Sequence, residues 1–235
     1  SMSGLGGRLQ AIVRLPNGEV HGVDATTEAP INYDTATTPI VKFGYEVIGI
    51  PGVVAGLCKL LEDHGTLPLE MVMQPAIKYA KKGFPILKGE ASRHLSASKQ
   101  LKDFAGSRQY FMKNGRTYQA GEKWVQKDLA NTLGLIAKGG RDAFYKGEIA
   151  KTIASFMAEQ GGFLSEEDLA AHHSEWVMPV SCNYRGYDVW ELPPNGQGVA
   201  ALQILNIMEG YDVKSMGFGS PEYVHYFTEA KKLAF

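Results

Sequence analysis

Six histidines, two cysteines and scattered hydroxyl residues are the groups in this sequence able to carry chemistry, so their spacing decides which reactions are open. The histidines are His21, His64, His94, His172, His173 and His225. Only His172 and His173 are close together. Neighbours on a helix point about 100° apart, so that pair makes a poor two-point metal site. His225 and Glu229 stand four residues apart on one helix face, where an ordinary surface contact is commoner than ligation. Cys58 sits in the apolar run VVAGLCKLL and Cys182 in the strand-like PVSCNYRGYDVW. Neither has a Cys-x-x-Cys partner or a histidine at ligand spacing, so both read as structural thiols suited to a reducing compartment. No metal site is expected.

No Ser, Thr or Cys lies in a Gly-x-Ser-x-Gly elbow. Gly4-x-Gly6-Gly7 precedes a strand rather than a helix, so it is not a dinucleotide fingerprint. The loop Pro193-Pro194-Asn195-Gly196-Gln197-Gly198 follows a strand and opens a helix. Its N–H groups suit a carboxylate, but it lacks the Gly-Lys-Ser/Thr of a phosphate loop and reads first as a turn. Lys78, Lys81, Lys82 and Lys88 read as solvated helix surface.

The elements that must position these groups follow from pattern. Residues 9–15 and 19–24 form two strands around Pro16-Asn17-Gly18, where Asn-Gly supplies a positive φ cheaply. Residues 25–43 read as loop and Tyr45–Ile50 as a short strand. Helices follow over 53–64, over 69–82 with Pro75 inside, over 126–138 with a stop at Gly139-Gly140, and over 144–160. Ser165-x-x-Asp168 has the spacing of a capping box. Strands at 180–184 and 187–192 precede helices over 199–209 and from Pro221 onward. A hairpin, then helices, then a β-pair and two helices predicts a helix-rich α+β fold in a single domain over 1–235.

Composition narrows the class. The chain has 235 residues, 44% hydrophobic, with 24 basic against 25 acidic side chains and a net charge of −1. That balance lacks the footprint of a nucleic-acid binder and can bury a sizeable core. No apolar run approaches the roughly 18–20 residues that cross a bilayer. SMSGLGG has neither a basic nor an apolar signal region, and Ser1-Met2 reads as a remnant of expression. The expectation is therefore no nucleic-acid partner and no membrane partner; the compartment stays open, with a cytoplasmic location favoured. The last helix keeps its apolar period to Phe235 without a stop signal, which fits either a chain cut there or a natural C-terminal helix with Phe235 docked on the core.

Several segments, in order, resemble the large-subunit half of γ-glutamyltranspeptidases. They are SGLGGRLQAIV, VDATTEAP, VIGIPGVVAGL, LANTLGLIAKGGRDAFYKGEIAKTI, GGFLSEEDLAAH, YRGYDVWELPPNGQG, LQILNIMEGYD and HYFTEAKKLAF, spanning Gly4 to Phe235. The resemblance implies an N-terminal nucleophile hydrolase, a four-layer αββα sandwich made as a self-cleaving zymogen. It implies a γ-glutamyl transferase or hydrolase of the glutathione-metabolism type, needing no metal or organic cofactor. In such enzymes the threonine exposed by cleavage attacks the amide, with its own α-amino group as base. No Thr-Thr-His-like processing site is present here, since Thr26-Thr27 and Thr37-Thr38 are followed by Glu28 and Pro39. No catalytic residue is therefore assigned, and the chain alone is expected to be inactive.

The family's Asp-x-Arg-Glu-x-Ala-Pro segment is Asp24-Ala25-Thr26-Thr27-Glu28-Ala29-Pro30 here, so Thr26 stands where the carboxylate-gripping Arg belongs. That moves the expectation from strict γ-glutamyl amides toward other acyl amides. Arg8 lies near in sequence, although a solvent-facing Arg at a strand start is the plainer reading. The expected substrate-binding residues are Thr26, Thr27 and Glu28, with Gly6 and Gly7 admitting close backbone approach. The expected partners are a small-molecule amide and the missing small subunit, and a homo-oligomer stays open. Two rival readings are a truncated non-catalytic binding or scaffold protein, and a nucleophile at Ser1 or Ser3.

Overall fold

The computed structural model describes residues 4–38 and 41–235. Ser1 and Ser3, the alternative nucleophiles, lie outside the described residues, as does Pro39 after Thr37-Thr38. In chain order come β1 (Leu9–Arg14), β2 (Val20–Ala25), a 3-10 turn (Tyr45–Val47), α1 (Val53–His64), α2 (Leu69–Lys82) and β3 (Phe84–Pro85). Then come α3 (Lys88–Ser96), α4 (Ser98–Asp103), α5 (Ala105–Phe111), β4 (Met112–Lys113), β5 (Arg116–Thr117) and β6 (Lys123–Trp124). The chain continues with α6 (Lys127–Tyr145), α7 (Glu148–Gln160), α8 (Glu166–Ala171) and β7 (Glu175–Val177). It closes with β8 (Val180–Tyr184), β9 (Tyr187–Glu191), α9 (Gly198–Glu209), α10 (Val213–Met216) and α11 (Pro221–Ala234). The fold is α+β and helix-rich, as its order of elements predicts.

The chain forms two compact units interleaved in sequence. One comprises Ser1–Leu5, Ala29–Ile50 and Cys58–His172, the other Gly6–Glu28, Pro51–Leu57 and His173–Phe235. In the second unit β1 and β2 pair antiparallel, from Leu9 opposite Ala25 to Arg14 opposite Val20. Gly18 takes φ 93° in the connecting turn, and the Asn17 Oδ1 accepts from the Glu19 N–H at 3.1 Å. β7, which pattern alone misses, adds to the free edge of β2. Three residues are too short a run to show alternation. β8 and β9 pair only with each other among the described residues, so the strands at 9–24 and 180–192 do not share one sheet. α9 packs on that β8–β9 pair and on α11. Met178, Tyr187, Phe218, Leu233 and Phe235 stay exposed in this unit.

The first unit holds most of the helices, with α2 packed along α6 through Ala80, Ala130 and Leu133. Two boundaries differ from the pattern. Tyr45–Val47 is a 3-10 turn rather than a strand, because the Tyr45 ring is anchored edge-on to Phe104 and Phe156 at 5.6 and 5.5 Å. Gly140 leaves helical geometry at φ 58°, yet α6 resumes and runs to Tyr145. Phe144 and Tyr145 thus end α6 instead of opening α7. Their burial, at 3% and 0% exposure, holds that extra turn in place. Ser165 caps α8: its Oγ accepts from the Asp168 N–H, and the Asp168 side chain accepts in return from the Ser165 N–H.

His94 is sealed in this unit. Its ring meets Phe111 and Trp124 edge-on at 5.3 and 5.4 Å, and neither ring nitrogen has a hydrogen-bond partner. Burial holds its pKa below the ordinary histidine value, against the pull of Glu90 one turn earlier and with Arg93 adding repulsion. The native ring therefore resists a proton that the unfolded chain binds below about pH 6.5. Stability is full above that value and is lost as the pH falls below it. Thermal melts between about pH 7.5 and about pH 5 should show a larger acid loss for the natural chain than for His94→Leu. Equal losses would overturn this account.

Candidate substrate pocket

The hairpin carries the chain out of β2 directly into Thr26, Thr27 and Glu28. β7 lies against β2, so His173 and Glu175 come to the same end. The Pro193–Gly198 loop leaves β9 toward the same place. Together Asp24, Thr26, Glu28, His173, Glu175 and Asn195 line a concavity of about 260 Å³, all within the second unit.

Hydrogen bonds fix its wall. The Asn195 Nδ2 donates to Asp24 Oδ2 at 2.7 Å and to Thr26 Oγ1 at 3.2 Å. Its Oδ1 accepts from Gln10 Nε2 at 2.8 Å. The Thr26 N–H donates to Asp24 Oδ1 at 3.0 Å. His173 Nε2 lies 3.0 Å from Glu175 Oε1. The lining thus offers three carboxylates, one imidazole, one amide and one hydroxyl, with no Lys or Arg.

Of the residues expected from sequence, Thr26 and Glu28 line this concavity. Thr27 is exposed and Gly6 and Gly7 are not in the lining. A Cβ on Gly6 would meet nothing within 4 Å. The Gly7 carbonyl accepts from the Gly52 and Val53 N–H groups at 3.0 and 3.1 Å, which caps the start of α1. Gly52 itself is needed there, since a Cβ on it would collide with the Ala25 carbonyl. Sequence pattern singles out neither Asn195 nor Glu175. The Pro-Pro-Asn-Gly turn marked the loop, but only the register of β2 and β7 shows what it faces. Cys58 is buried, and burial together with Glu62 raises its pKa, as suits a structural thiol. Among the described residues no cluster of three His, Cys, Asp or Glu could hold a metal ion. No helix among them is long and apolar enough to cross a membrane.

Comparison with known proteins gives the class. The γ-glutamyltranspeptidase family model matches residues 1–235. A glutathione hydrolase proenzyme of Pseudomonas sp. (strain A14) is 41% identical over 194 residues, 82% of this chain and 34% of that protein. The acylase ACY 1 proenzyme of Pseudomonas sp. (strain SE83) is 38% identical over 82% of this chain and 35% of its own length. Among solved structures, Helicobacter pylori γ-glutamyltranspeptidase superposes with a TM-score of 0.93 at 34% identity, covering 98% of this chain and 69% of that one. Cephalosporin acylase from Bacillus halodurans gives 0.91 at 34% identity, over 99% of this chain and 45% of that one.

The chain therefore belongs to the γ-glutamyltranspeptidase family, and its fold is that of the N-terminal nucleophile hydrolases. It spans about a third of the length of the two curated relatives given above.

Proposed function

We propose that this chain supplies the large-subunit part of a γ-glutamyltranspeptidase-like amide hydrolase or acyl transferase, with the nucleophilic threonine on a small subunit. The threonine Oγ would attack the amide carbonyl and pass its proton to the threonine's own α-amino group. As the C–N bond breaks, that proton goes to the leaving amine nitrogen. Water or a second amine then attacks the acyl ester, loses its proton to the α-amino group and frees the threonine hydroxyl. No metal or organic cofactor enters either step.

The lining of the concavity carries the choice of substrate. An acyl group bearing a free carboxylate would meet Asp24, Glu28 and Glu175 with no fixed cation to receive it. Like charges at close range in a partly desolvated site are costly. The α-ammonium of a γ-glutamyl group would suit these carboxylates but its α-carboxylate would not; acyl groups without that carboxylate avoid the conflict, and two of the similar proteins given above are named acylases.

The chain alone should not hydrolyse a chromogenic γ-glutamyl or acyl anilide. Joined to a small-subunit half of the family it should turn over, and replacing that half's first threonine with alanine should abolish the activity. Turnover by the pure chain, tracking it through purification, would refute the assignment of the nucleophile.

A further inference from the structure

We infer that Asn195 is a positioning residue for this pocket, fixing the hydroxyl of Thr26 as a hydrogen-bond donor toward the bound acyl group. The inference rests on the proposed function and adds a specificity residue to it. The residue comes from the loop that sequence pattern reads first as a turn, with a carboxylate site as the alternative.

The fold uses both donors of its side-chain amide and one lone pair of its oxygen. Each Nδ2 hydrogen has its own acceptor, Asp24 Oδ2 at 2.7 Å and Thr26 Oγ1 at 3.2 Å. The Oδ1 accepts from Gln10 Nε2 at 2.8 Å. These three contacts join residues 169 to 185 positions apart, so they cannot form from local chain geometry. The loop lies close on the strands beneath it. A Cβ on Gly196 would come within 3.3 Å of the Gln10 side chain, and one on Gly198 within 2.8 Å of Glu191.

The chemical consequence lies in the direction of the hydrogen bonds. A hydroxyl carries one hydrogen and two lone pairs. With Asn195 donating to Thr26 Oγ1, the Thr26 hydrogen is left to donate to a third atom. Asp24 is held by Asn195 at one oxygen and by the Thr26 N–H at the other. Thr26 lines the concavity, and its hydroxyl hydrogen is given to none of these partners, so it is the neutral donor this wall offers a ligand. The ligand group it suits is a neutral oxygen acceptor, such as a carbonyl, ether or hydroxyl oxygen of the acyl part. Aspartate at 195 keeps the shape and the acceptor for Gln10 but loses both donors, and it sets a carboxylate against Asp24.

The test uses the complete two-subunit enzyme with a neutral acyl anilide bearing an oxygen acceptor. Asn195→Asp should raise KM about tenfold near neutral pH with kcat within about threefold. The KM should recover as the pH falls toward about 5, because two facing carboxylates then share a proton. Asn195→Ala combined with Thr26→Val should be no worse than the worse single variant, since both act through one hydroxyl. A KM that is unchanged, or independent of pH, or losses that simply add, would overturn the inference. If the complete natural enzyme turns over no amide, the proposed function fails. The clamp is then read on the chain itself: Asn195→Asp should lower Tm above about pH 6 and regain it below about pH 5. A Tm that ignores both the substitution and the pH would remove the clamp as well.

Discussion

Asp168→Ala is expected to destabilise the first unit by about 3 kcal/mol, enough to lower Tm by roughly 6–12 °C for a chain of this size. The carboxylate is 1% exposed and carries three hydrogen bonds. Its Oδ2 accepts from the Ser165 N–H at 2.9 Å and the Ser165 Oγ at 2.7 Å. Its Oδ1 accepts from the Ile31 N–H at 2.8 Å, which ties the loop after residue 28 to the start of α8. Hydrogen bonds to a charged acceptor are each worth about 1.5–3 kcal/mol, and water can replace part of that loss because all three are only part-buried. Burial alone would raise this carboxyl's pKa, but the bonds from Ile31 and Ser165 outweigh it and hold it below the ordinary value. The contribution is therefore present above about pH 4 and is lost as the pH falls through the lowered value. Asp168→Asn keeps one acceptor and should lose less than alanine. A loss under about 1 kcal/mol for alanine would refute the role assigned to the capping box.

Ser165-x-x-Asp168 shows what sequence can carry. A capping box is local, so its spacing alone predicts the helix start that the structure shows. The same holds for Asn17-Gly18 and for Pro221 at the start of α11. What sequence could not carry was the second partner of Asp168. Ile31 lies 137 residues away, and no local pattern marks it. The helix boundary at Gly139-Gly140 fails for a related reason. Two glycines remove local preference for helix, but burial of Phe144 and Tyr145 restores the turn from outside the segment. Tertiary packing decided there, as it did for Tyr45.

The pocket divides along the same line. Thr26 and Glu28 were legible because they follow a hairpin whose register is set by the local three-residue turn Pro16-Asn17-Gly18. Gly6 and Gly7 stand in the sequence as candidate substrate contacts, and in the structure the Gly7 carbonyl accepts from the first N–H groups of α1. Glycine in sequence marks a close approach without saying what approaches. His173, Glu175 and Asn195 reach the pocket only through pairing of β7 with β2 and through the return of the loop after β9. Those are contacts across more than 140 residues, and composition or periodicity does not encode them.

Thr26→Arg, in the complete two-subunit enzyme, should shift preference toward γ-glutamyl amides by about tenfold or more. The family resemblance puts a carboxylate-binding Arg at this place, and a hydroxyl supplies no charge to a substrate carboxylate. A desolvated charge-assisted contact is worth about 2–5 kcal/mol when its partner stays buried. The gain should sit at the low end of that range for two reasons visible in the pocket. Asp24, Glu28 and Glu175 will compete for the new guanidinium, and Asn195 loses one of its acceptors when the hydroxyl goes. The change should appear mainly in KM for γ-glutamyl substrates, because a carboxylate remote from the reacting carbonyl is bound alike in ground and transition states. Neutral acyl amides should bind less well, since the larger side chain fills part of a concavity of about 260 Å³. The measurement is kcat/KM for matched γ-glutamyl and simple acyl anilides in the natural and Thr26→Arg forms. A natural enzyme that already prefers γ-glutamyl strongly, together with a variant that changes nothing, would mean the carboxylate is held elsewhere and would end this reading of the pocket.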